Sequence, residues 1–377
     1  MTARKELGIY IHIPFCLSKC RYCDFCSFPH PKPETVEKYL SALMSEIEEY
    51  KAEYAEYNVT TVYFGGGTPT LLKAEQLGAV CNKLSACFII SKSAEITAEC
   101  NPATADMEYF KELRKAGINR LSLGVQSMDD GELRLLGRLH KSADVKKAFF
   151  DARAAGFVNI SADVMFGIPS QTKESLARTI DTVCELEPTH VSLYGLKIED
   201  GTYFARHAAE LELPDEDTEY EMYISSVKRL AEHGFERYEI SNFARNEYYS
   251  RHNLKYWKRD DYLGMGLAAH SCIGDRRFSN TYDMEKYSSG KRIETNETVS
   301  DHDILCEKIM LGMRLEKGCD VTALEGEYGE RLLPYRKALE SYTADGYVIK
   351  KGNFLAFSDK GMYISNYILS EILDFED

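Results

Sequence analysis

The chain has 377 residues, of which 44% are hydrophobic, and a formal net charge of -14. That apolar content can bury a large core, so the sequence excludes a disordered chain and suggests one large domain with a smaller one. The 60 acidic residues outnumber the 46 basic ones, which opposes binding to nucleic acid, and no apolar run reaches the roughly 20 residues that span a membrane.

The first predicted element is a buried strand over residues 8–13, and a loop with three cysteines follows it. Cys16, Cys20 and Cys23 form the pattern C-x3-C-x2-C, which lets one turn of backbone wrap around an inorganic centre. Structural zinc usually takes its ligands from two separated pairs, and no second pair of cysteines or histidines occurs downstream. An odd total of 11 cysteines opposes a disulfide framework. The residues favour an iron-sulfur cluster with three protein ligands, with zinc as the alternative.

Strands and helices then alternate along residues 36–233. Apolar and β-branched runs predict strands, and apolar residues at three- and four-residue steps predict helices between them. The predicted strands after the first are residues 59–64, 94–100, 120–125, 160–166 and 191–196. The predicted helices are residues 36–47, 71–85, 105–116, 144–155, 173–186 and 217–233. This alternation predicts an α/β fold with a parallel sheet, in which residues 1–235 form an open, six-unit (β/α)6 barrel of the partial TIM type.

Two further segments follow the barrel. Residues 236–290 lose the alternation and are rich in aromatic and polar side chains, which is typical of binding loops, and we expect them to close the barrel. Residues 291–377 predict a small, winged-helix-like α+β domain, with helices at 303–313, 321–328 and 332–344 and a hairpin at 346–357. From residue 301 onward there are nine basic and fifteen acidic residues, a net charge of -6. That charge repels DNA phosphate, so we predict a lid or docking module.

The cysteine loop and its flanks resemble the radical S-adenosylmethionine (SAM) superfamily. The resemblance rests on the tyrosine before the last cysteine, on Y-I-H-I-P-F at residues 10–15 and on D-F at residues 24–25. These strings are similar to the branch that holds oxygen-independent coproporphyrinogen III oxidases and the haem chaperones called HemW. The resemblance implies that Cys16, Cys20 and Cys23 hold a 4Fe-4S cluster whose fourth iron binds the amino and carboxylate groups of SAM. Electron transfer to SAM would then give methionine and a 5'-deoxyadenosyl radical.

The same resemblance implies which residues contact SAM. By resemblance, Gly66, Gly67 and Thr68 contact the methionine part, Glu99, Gln126 and Asp163 line the ribose and its surroundings, Arg138 neutralises the carboxylate, and Tyr10 lies over the site. Asp163 lies within a predicted buried strand, so only a ligand or a neighbouring base is expected to pair with it. No catalytic residue is assigned.

Two differences separate the chain from the oxidases. The oxidase branch reads C-x3-C-x2-C-x-C, and this chain has Phe25 at the last of these positions. The oxidases also carry a substantial extension before their cluster, whereas fifteen residues precede Cys16 here. The resemblance therefore implies a haem chaperone that delivers haem to an acceptor protein and uses the cluster and SAM as a switch. One alternative is a coproporphyrinogen III oxidase-like or other radical SAM enzyme, the former performing oxidative decarboxylation through the radical. A non-catalytic cluster protein is the other alternative.

A second string supports the chaperone branch. Residues 252–257 read H-N-L-K-Y-W and match the H-N-x-x-Y-W string of HemW-like proteins. Either His252 ligates haem iron while Tyr256 and Trp257 stack on the porphyrin, or these side chains hold the loop on the barrel. The structural role is favoured for Trp257, and the two roles are balanced for His252. We expect His270 to lie near the adenosine or the cluster. Cys26 is expected to be a spare thiol, with an alternative cluster ligand or a haem-reactive group as the other possibilities.

The implied cofactors are a 4Fe-4S cluster, SAM and haem. The expected partners are haem, a haem-acceptor protein and a low-potential electron donor such as flavodoxin or ferredoxin. We expect membrane contact only through the acceptor and no contact with nucleic acid. Residues 1–7 are too polar for a signal sequence, so we expect a cytoplasmic location.

Overall fold

The computed structural model describes residues 4–375, and its largest feature is a twelve-stranded sheet. Six parallel strands form the middle of this sheet, and each pairs with the next one along the chain. They are β1 (Glu6–Ile13), β2 (Asn58–Gly66), β3 (Ile89–Cys100), β4 (Arg120–Gln126), β5 (Asn159–Phe166) and β6 (His190–Gly195). Within residues 4–375, β1 and β6 do not pair with each other, so the barrel is open. The predicted six-unit barrel is confirmed.

Helices connect these strands. They are α1 (Pro33–Glu49), α2 (Ala74–Cys87), α3 (Met107–Lys115), α4 (Asp130–Leu135), α5 (Ser142–Ala154), α6 (Lys173–Glu185), α7 (Tyr203–Arg206) and α8 (Glu216–Glu232). Helix α6 shows why such segments fold: Thr172 Oγ1 accepts a hydrogen bond from Ser175 N at 3.1 Å and caps its first turn. Leu176, Ile180 and Val183 recur at helical spacing and are buried. One apolar face therefore covers the sheet, as the periodicity predicts.

Short strands extend the sheet at both edges of the barrel. β7 (Glu236–Glu239) and β8 (Asn242–Ala244) add antiparallel strands beyond β6. On the other side, β9 (Tyr262–Met265) runs parallel to β1, and it is followed by the antiparallel strands β10 (His270–Ile273), β11 (Arg276–Asn280) and β12 (Ile293–Thr298). The segment also contains helices α9 (Arg251–Trp257) and α10 (Met284–Ser288). These strands were not predicted from the sequence, because runs of three to six residues show too little alternation.

The boundary of the C-terminal domain was predicted at residue 290, but strand β12 lies past that residue. We therefore propose that the C-terminal domain starts after Thr298.

Glu46 of α1 joins this segment to the barrel. Its side chain is buried and accepts hydrogen bonds from Gly266 N at 2.8 Å, Asn280 Nδ2 at 2.6 Å and Tyr287 OH at 2.6 Å. Burial raises the pKa of Glu46 to about 7, although these donors lower it. Three donors from a separate segment fix where that segment lies, which supports our proposal that residues 236–290 close the barrel.

Residues from Asp301 onward form a domain with its own apolar core. Its elements are α11 (Asp301–Met313), β13 (Cys319–Asp320), α12 (Val321–Tyr328), α13 (Leu333–Ser341), β14 (Val348–Lys351), β15 (Phe354–Phe357), α14 (Asp359–Tyr363) and α15 (Ser365–Ile372). The three predicted helices and the hairpin are present, and two more helices follow them. Arg237 bonds to Glu316 and Arg259 to Glu307, each at 2.6 Å, so ion pairs hold this domain on the barrel.

Across residues 4–375, no helix is long and apolar enough to cross a membrane.

Candidate cluster and cofactor site

A cavity of about 360 Å³ lies among the parallel strands and the cluster loop. The cysteine loop forms one wall, and residues of β2 to β6 form the others. On β4, Arg120, Ser122, Gly124 and Gln126 alternate along the strand, and all four line the cavity. Alternate residues of a strand point to one face, and the carboxyl ends of parallel strands meet at one edge of the barrel. The fold therefore brings together polar residues that are far apart in the sequence.

Cys16, Cys20 and Cys23 all line this cavity, so the structure brings the three predicted cluster ligands together. The loop is anchored where His30 N donates to Cys16 O at 3.0 Å. Burial raises the pKa of the Cys16 thiol, and it raises that of Cys23 to about 11. A bound cluster would displace these protons, because the thiolate is the form that ligates metal.

Cys26, the fourth thiol of the loop, is half-buried and does not line the cavity. Its carbonyl oxygen lies 2.9 Å from His12 Nε2, and His12 Nδ1 lies 3.0 Å from Tyr10 OH. This position is consistent with a spare thiol.

Among the predicted SAM residues, all within the described part of the chain, Tyr10 alone does not line the cavity. Its ring stacks on that of Tyr63, which does line the cavity, with 6.3 Å between the ring centres.

The glycines at the end of β2 leave no room for side chains. A Cβ on Gly66, where φ is +107°, would lie 2.4 Å from the ring of His12. A Cβ on Gly67 would lie 2.6 Å from Phe15 O, and Thr68 N donates to the same oxygen at 2.7 Å. Only glycine allows this approach, which sets bare backbone against the cluster loop. Gly66 and Gly67, which were predicted to contact the methionine part of SAM, both line the cavity.

Glu99 lies near the end of β3 and lines the cavity. Its carboxylate accepts hydrogen bonds from Tyr63 OH at 2.9 Å and from Gly66 N at 3.1 Å. Burial raises the pKa of Glu99 to about 7, and the nearby Asp163 contributes in the same direction. The side chain therefore changes its charge near neutral pH.

Asp163 on β5 is paired by hydroxyl groups. Ser122 Oγ lies 3.0 Å from both carboxylate oxygens, and Ser161 Oγ lies 3.3 Å from one of them. The expectation that only a ligand or a base can pair with Asp163 was too narrow, because serines of β4 and β5 also bond to it. Arg120 is a neighbouring base of the expected kind, and its charge lowers the pKa of Asp163. Burial nevertheless raises the pKa of Asp163, since hydroxyl groups offset only part of the desolvation of a carboxylate.

Arg138 places a cation beside the cluster loop. Its Nη2 donates to Gly124 O at 2.8 Å, and its Nη1 lies 3.6 Å from Cys20 Sγ. The pKa of Arg138 is raised overall: burial lowers it, but the neighbouring Tyr22 and Cys20 raise it by more.

Gln126 reaches the same cavity from an irregularity in β4. Its φ of +65° is one that few residues other than glycine adopt. Such backbone strain is typical of binding sites.

Arg120 is the main site residue that the sequence analysis missed. Its side chain is 1% exposed and lines the cavity, and its Nε has no hydrogen-bond partner within residues 4–375. Its positive charge offsets part of the burial effect that raises the pKa values of Glu99 and Asp163. The available signal was the alternation of polar residues along β4, because Arg120 precedes Ser122 by two positions and shares its face.

Comparisons with known proteins identify the family. The model of the Radical SAM superfamily matches residues 10–183, and that of the HemN C-terminal domain matches residues 299–364. The chain is 34% identical to "Heme chaperone HemW" of Bacillus subtilis (strain 168), over 97% of this chain and 98% of the relative. It is 31% identical to "Heme chaperone HemW" of Escherichia coli (strain K12), over 99% and 100%. The chain belongs to the HemW family of radical SAM proteins.

The fold of this HemW-family chain is shared by the solved coproporphyrinogen III oxidase (HemN) from Escherichia coli. The two superpose with a TM-score of 0.85 at 24% identity, over 97% of this chain and 89% of the other. Membership of the radical SAM superfamily implies a 4Fe-4S cluster and SAM. The residues present fit both groups: three thiols converge on the cavity, and a crowded glycine backbone adjoins them. Arg138 Nε also has no partner among residues 4–375, so a donor remains for a ligand.

The histidine of the HemW-family string lies behind the cavity wall. His252 is 1% exposed, and its ring nitrogens bond with Thr61 Oγ1 at 2.8 Å and with Tyr256 OH at 2.9 Å. Burial lowers the pKa of His252 to about 3, so the ring is neutral. In this arrangement neither nitrogen is available to a haem iron.

Trp257 and Asn253 of the same string have different surroundings. Trp257 turns toward the C-terminal domain, where Arg314 lies 5.9 Å from its ring centre, which agrees with a structural role. Asn253 is the residue of the string that lines the cavity.

His270 was expected near the adenosine or the cluster. It is exposed, it does not line the cavity, and its Nε2 lies 3.4 Å from Tyr282 OH. That expectation was wrong because β10 carries His270 to the outer part of the sheet.

Proposed function

We propose that this chain is a haem chaperone that holds a SAM-bound 4Fe-4S cluster, binds haem and delivers it to an acceptor protein. The observation that carries the proposal is the similarity of almost the whole chain to proteins named "Heme chaperone HemW". Phe25 supports it, because the oxidase branch has a cysteine at this position of the cluster loop. The similarity to the HemN structure reflects the fold alone, so it does not favour an oxidase.

In the proposed site, the side chains that line the cavity bind and orient SAM. Arg138 pairs with its carboxylate, and Glu99 and Gln126 bond to the ribose. Arg120 and Asp163 balance each other's charge below the ribose, which lowers the energy of burying both. When bound, the cluster supplies one-electron chemistry at SAM.

We propose that His252 and Tyr256 hold α9 on the barrel in the state described here. For His252 to ligate haem iron, its bonds to Thr61 and Tyr256 must break. The ring of Tyr63, which stacks on it with 5.2 Å between ring centres, must also move. In this proposal, Asn253 is the residue of the H-N-x-x-Y-W string that contributes to the SAM cavity, because its side chain lines that cavity.

We further propose a cytoplasmic location, with membrane contact only through the acceptor. All eleven cysteines are free, which suits a reducing compartment. The electron donor in this proposal is a low-potential protein such as flavodoxin or ferredoxin. The net charge of -6 from residue 301 onward opposes nucleic acid and leaves a protein as the partner of the C-terminal domain.

Haem titration of the anaerobically reconstituted protein tests the proposal. We expect a saturable Soret band, transfer of the bound haem to a haem-free acceptor, and no decarboxylation of coproporphyrinogen III. Failure to bind haem would refute the chaperone function. Conversion of coproporphyrinogen III to protoporphyrinogen IX by the same preparation would establish the oxidase function in its place.

A further inference from the structure

Three large apolar side chains are exposed at the edge of the cavity. Leu17, Phe25 and Leu139 line it and are 41%, 60% and 58% exposed, respectively. Leu17 and Phe25 belong to the cluster loop, whereas Leu139 follows α4, so two separate segments build one surface. We call these three residues the mouth patch. Exposed apolar side chains gathered beside a binding cavity are typical of a surface that a ligand or partner covers.

The size of the cavity limits what can bind inside it. Its volume of about 360 Å³ is near the lower end of the roughly 300–1,000 Å³ of small-molecule sites. The three thiols, the glycine backbone and Arg138 already account for this space as a cluster and SAM site. With a cluster and SAM in a volume of about 360 Å³, little of it remains for a porphyrin. A haem bound at this end of the molecule must therefore lie outside the cavity, against the mouth patch.

The charge at the patch also matches haem. Lys19 lines the cavity and is exposed, and its Nζ donates to Phe25 O at 3.2 Å, which places an ammonium group beside the apolar surface. Asp24 is the single acidic residue among residues 16–26. Haem combines a flat apolar face with two carboxylates at one edge. An apolar surface with a cation at its side is complementary to that shape and charge.

We propose that haem lies across the mouth of the cavity, with its macrocycle on Leu17, Phe25 and Leu139 and a propionate beside Lys19. This inference rests on the proposed function and adds the place where haem binds. Haem in this position covers the space assigned to SAM. Bound haem therefore slows the dissociation of SAM.

Haem titration of SAM-loaded, cluster-bearing variants tests the position. We expect Phe25→Ser and Leu139→Ser each to weaken haem binding about tenfold, because each removes part of a large apolar contact. Phe150→Ser is the matched control, since Phe150 is 70% exposed but lies on α5 and lines a different cleft. The control should keep the haem affinity of the unchanged protein. Iron content and SAM affinity are measured on every variant, and Leu139→Ser decides the test if Phe25→Ser loses iron.

The rate of SAM release gives a second measurement. Labelled SAM should leave the haem-loaded protein more slowly than the haem-free protein, and Leu139→Ser should remove most of that difference. Unchanged haem affinity in both mouth variants would overturn this site and leave the chaperone function standing. Loss of acceptor binding or of self-association with unchanged haem affinity would make the patch a protein-docking surface and also overturn it. Absence of haem binding by the unchanged protein would refute the chaperone function itself.

Discussion

The charge of Glu99 gives the most specific prediction for the SAM site. Burial raises its pKa to about 7, and its carboxylate accepts hydrogen bonds from Tyr63 OH and Gly66 N. In the proposed site it also accepts a hydrogen bond from the ribose of SAM, and an ionised acceptor forms the stronger bond. Because binding favours the ionised form, SAM affinity should fall as the pH drops through about 7.

The magnitude follows from the linkage between proton and ligand binding. Well below the pKa of about 7, removing the proton costs about 1.4 kcal/mol per pH unit. The ionised fraction is about one half at pH 7 and about one tenth at pH 6, so affinity falls about fivefold between these two pH values. Above about pH 8 the carboxylate is ionised, so Glu99 causes no further change in affinity. Glu99→Gln keeps the shape and an acceptor oxygen but cannot ionise. This variant should bind SAM about tenfold more weakly at high pH and should lack the part of the pH dependence that comes from Glu99.

Calorimetric titration of SAM into the cluster-bearing protein over this pH range measures both effects. The amino group of SAM titrates with either protein, so the difference between the two profiles isolates Glu99. Iron content determined at each pH controls for loss of the cluster. Parallel profiles for the unchanged protein and Glu99→Gln would refute the role of Glu99 in SAM binding. The same conclusion would follow if the unchanged protein kept its full SAM affinity below the pKa of Glu99.

Three further predictions concern the cluster, the fold and the haem string. After anaerobic reconstitution, Cys20→Ala should abolish the cluster and Cys26→Ala should retain about four irons per chain; loss of iron from Cys26→Ala would reveal a fourth thiolate ligand. Glu46→Ala should lower the free energy of unfolding in urea by about 3 kcal/mol because three buried donors lose their acceptor, whereas Glu46→Gln should cost less; equal stabilities would contradict the role of Glu46. His252→Ala should lower the free energy of unfolding by about 2 kcal/mol through two lost hydrogen bonds and leave the Soret band of bound haem in place; a displaced band would identify His252 as the haem ligand.

Local patterns in the sequence were enough to predict the barrel and the cluster loop. The periods of strands and helices repeat within each segment, so β2 to β6 and the longer helices α2, α3, α5 and α6 could be found without knowing their neighbours. The six-residue helix α4 was not predicted. The spacing of Cys16, Cys20 and Cys23 is also local, because one turn of backbone brings three thiols together. Short strands such as β9 were missed, since four residues containing a glycine do not show a period.

Contacts across the barrel could not be predicted in this way. Ser122, which comes from a neighbouring strand, bonds to Asp163, where only a ligand or a base was expected. His252 meets Thr61 across 191 residues of sequence, which removes it from solvent and from haem iron. Arg120 enters the site because β4 points alternate residues into the cavity.

The sequence by itself determined the number of strand–helix units, the position of the cluster loop and the membership of the radical SAM superfamily. All three depend on residue types at short spacing, which the backbone converts directly into local structure. The tertiary structure alone decided which polar groups share the cavity, which histidine is buried and which apolar side chains stay exposed at its mouth. Those outcomes depend on strand order and register, which place residues from distant parts of the chain within hydrogen-bonding distance of one another.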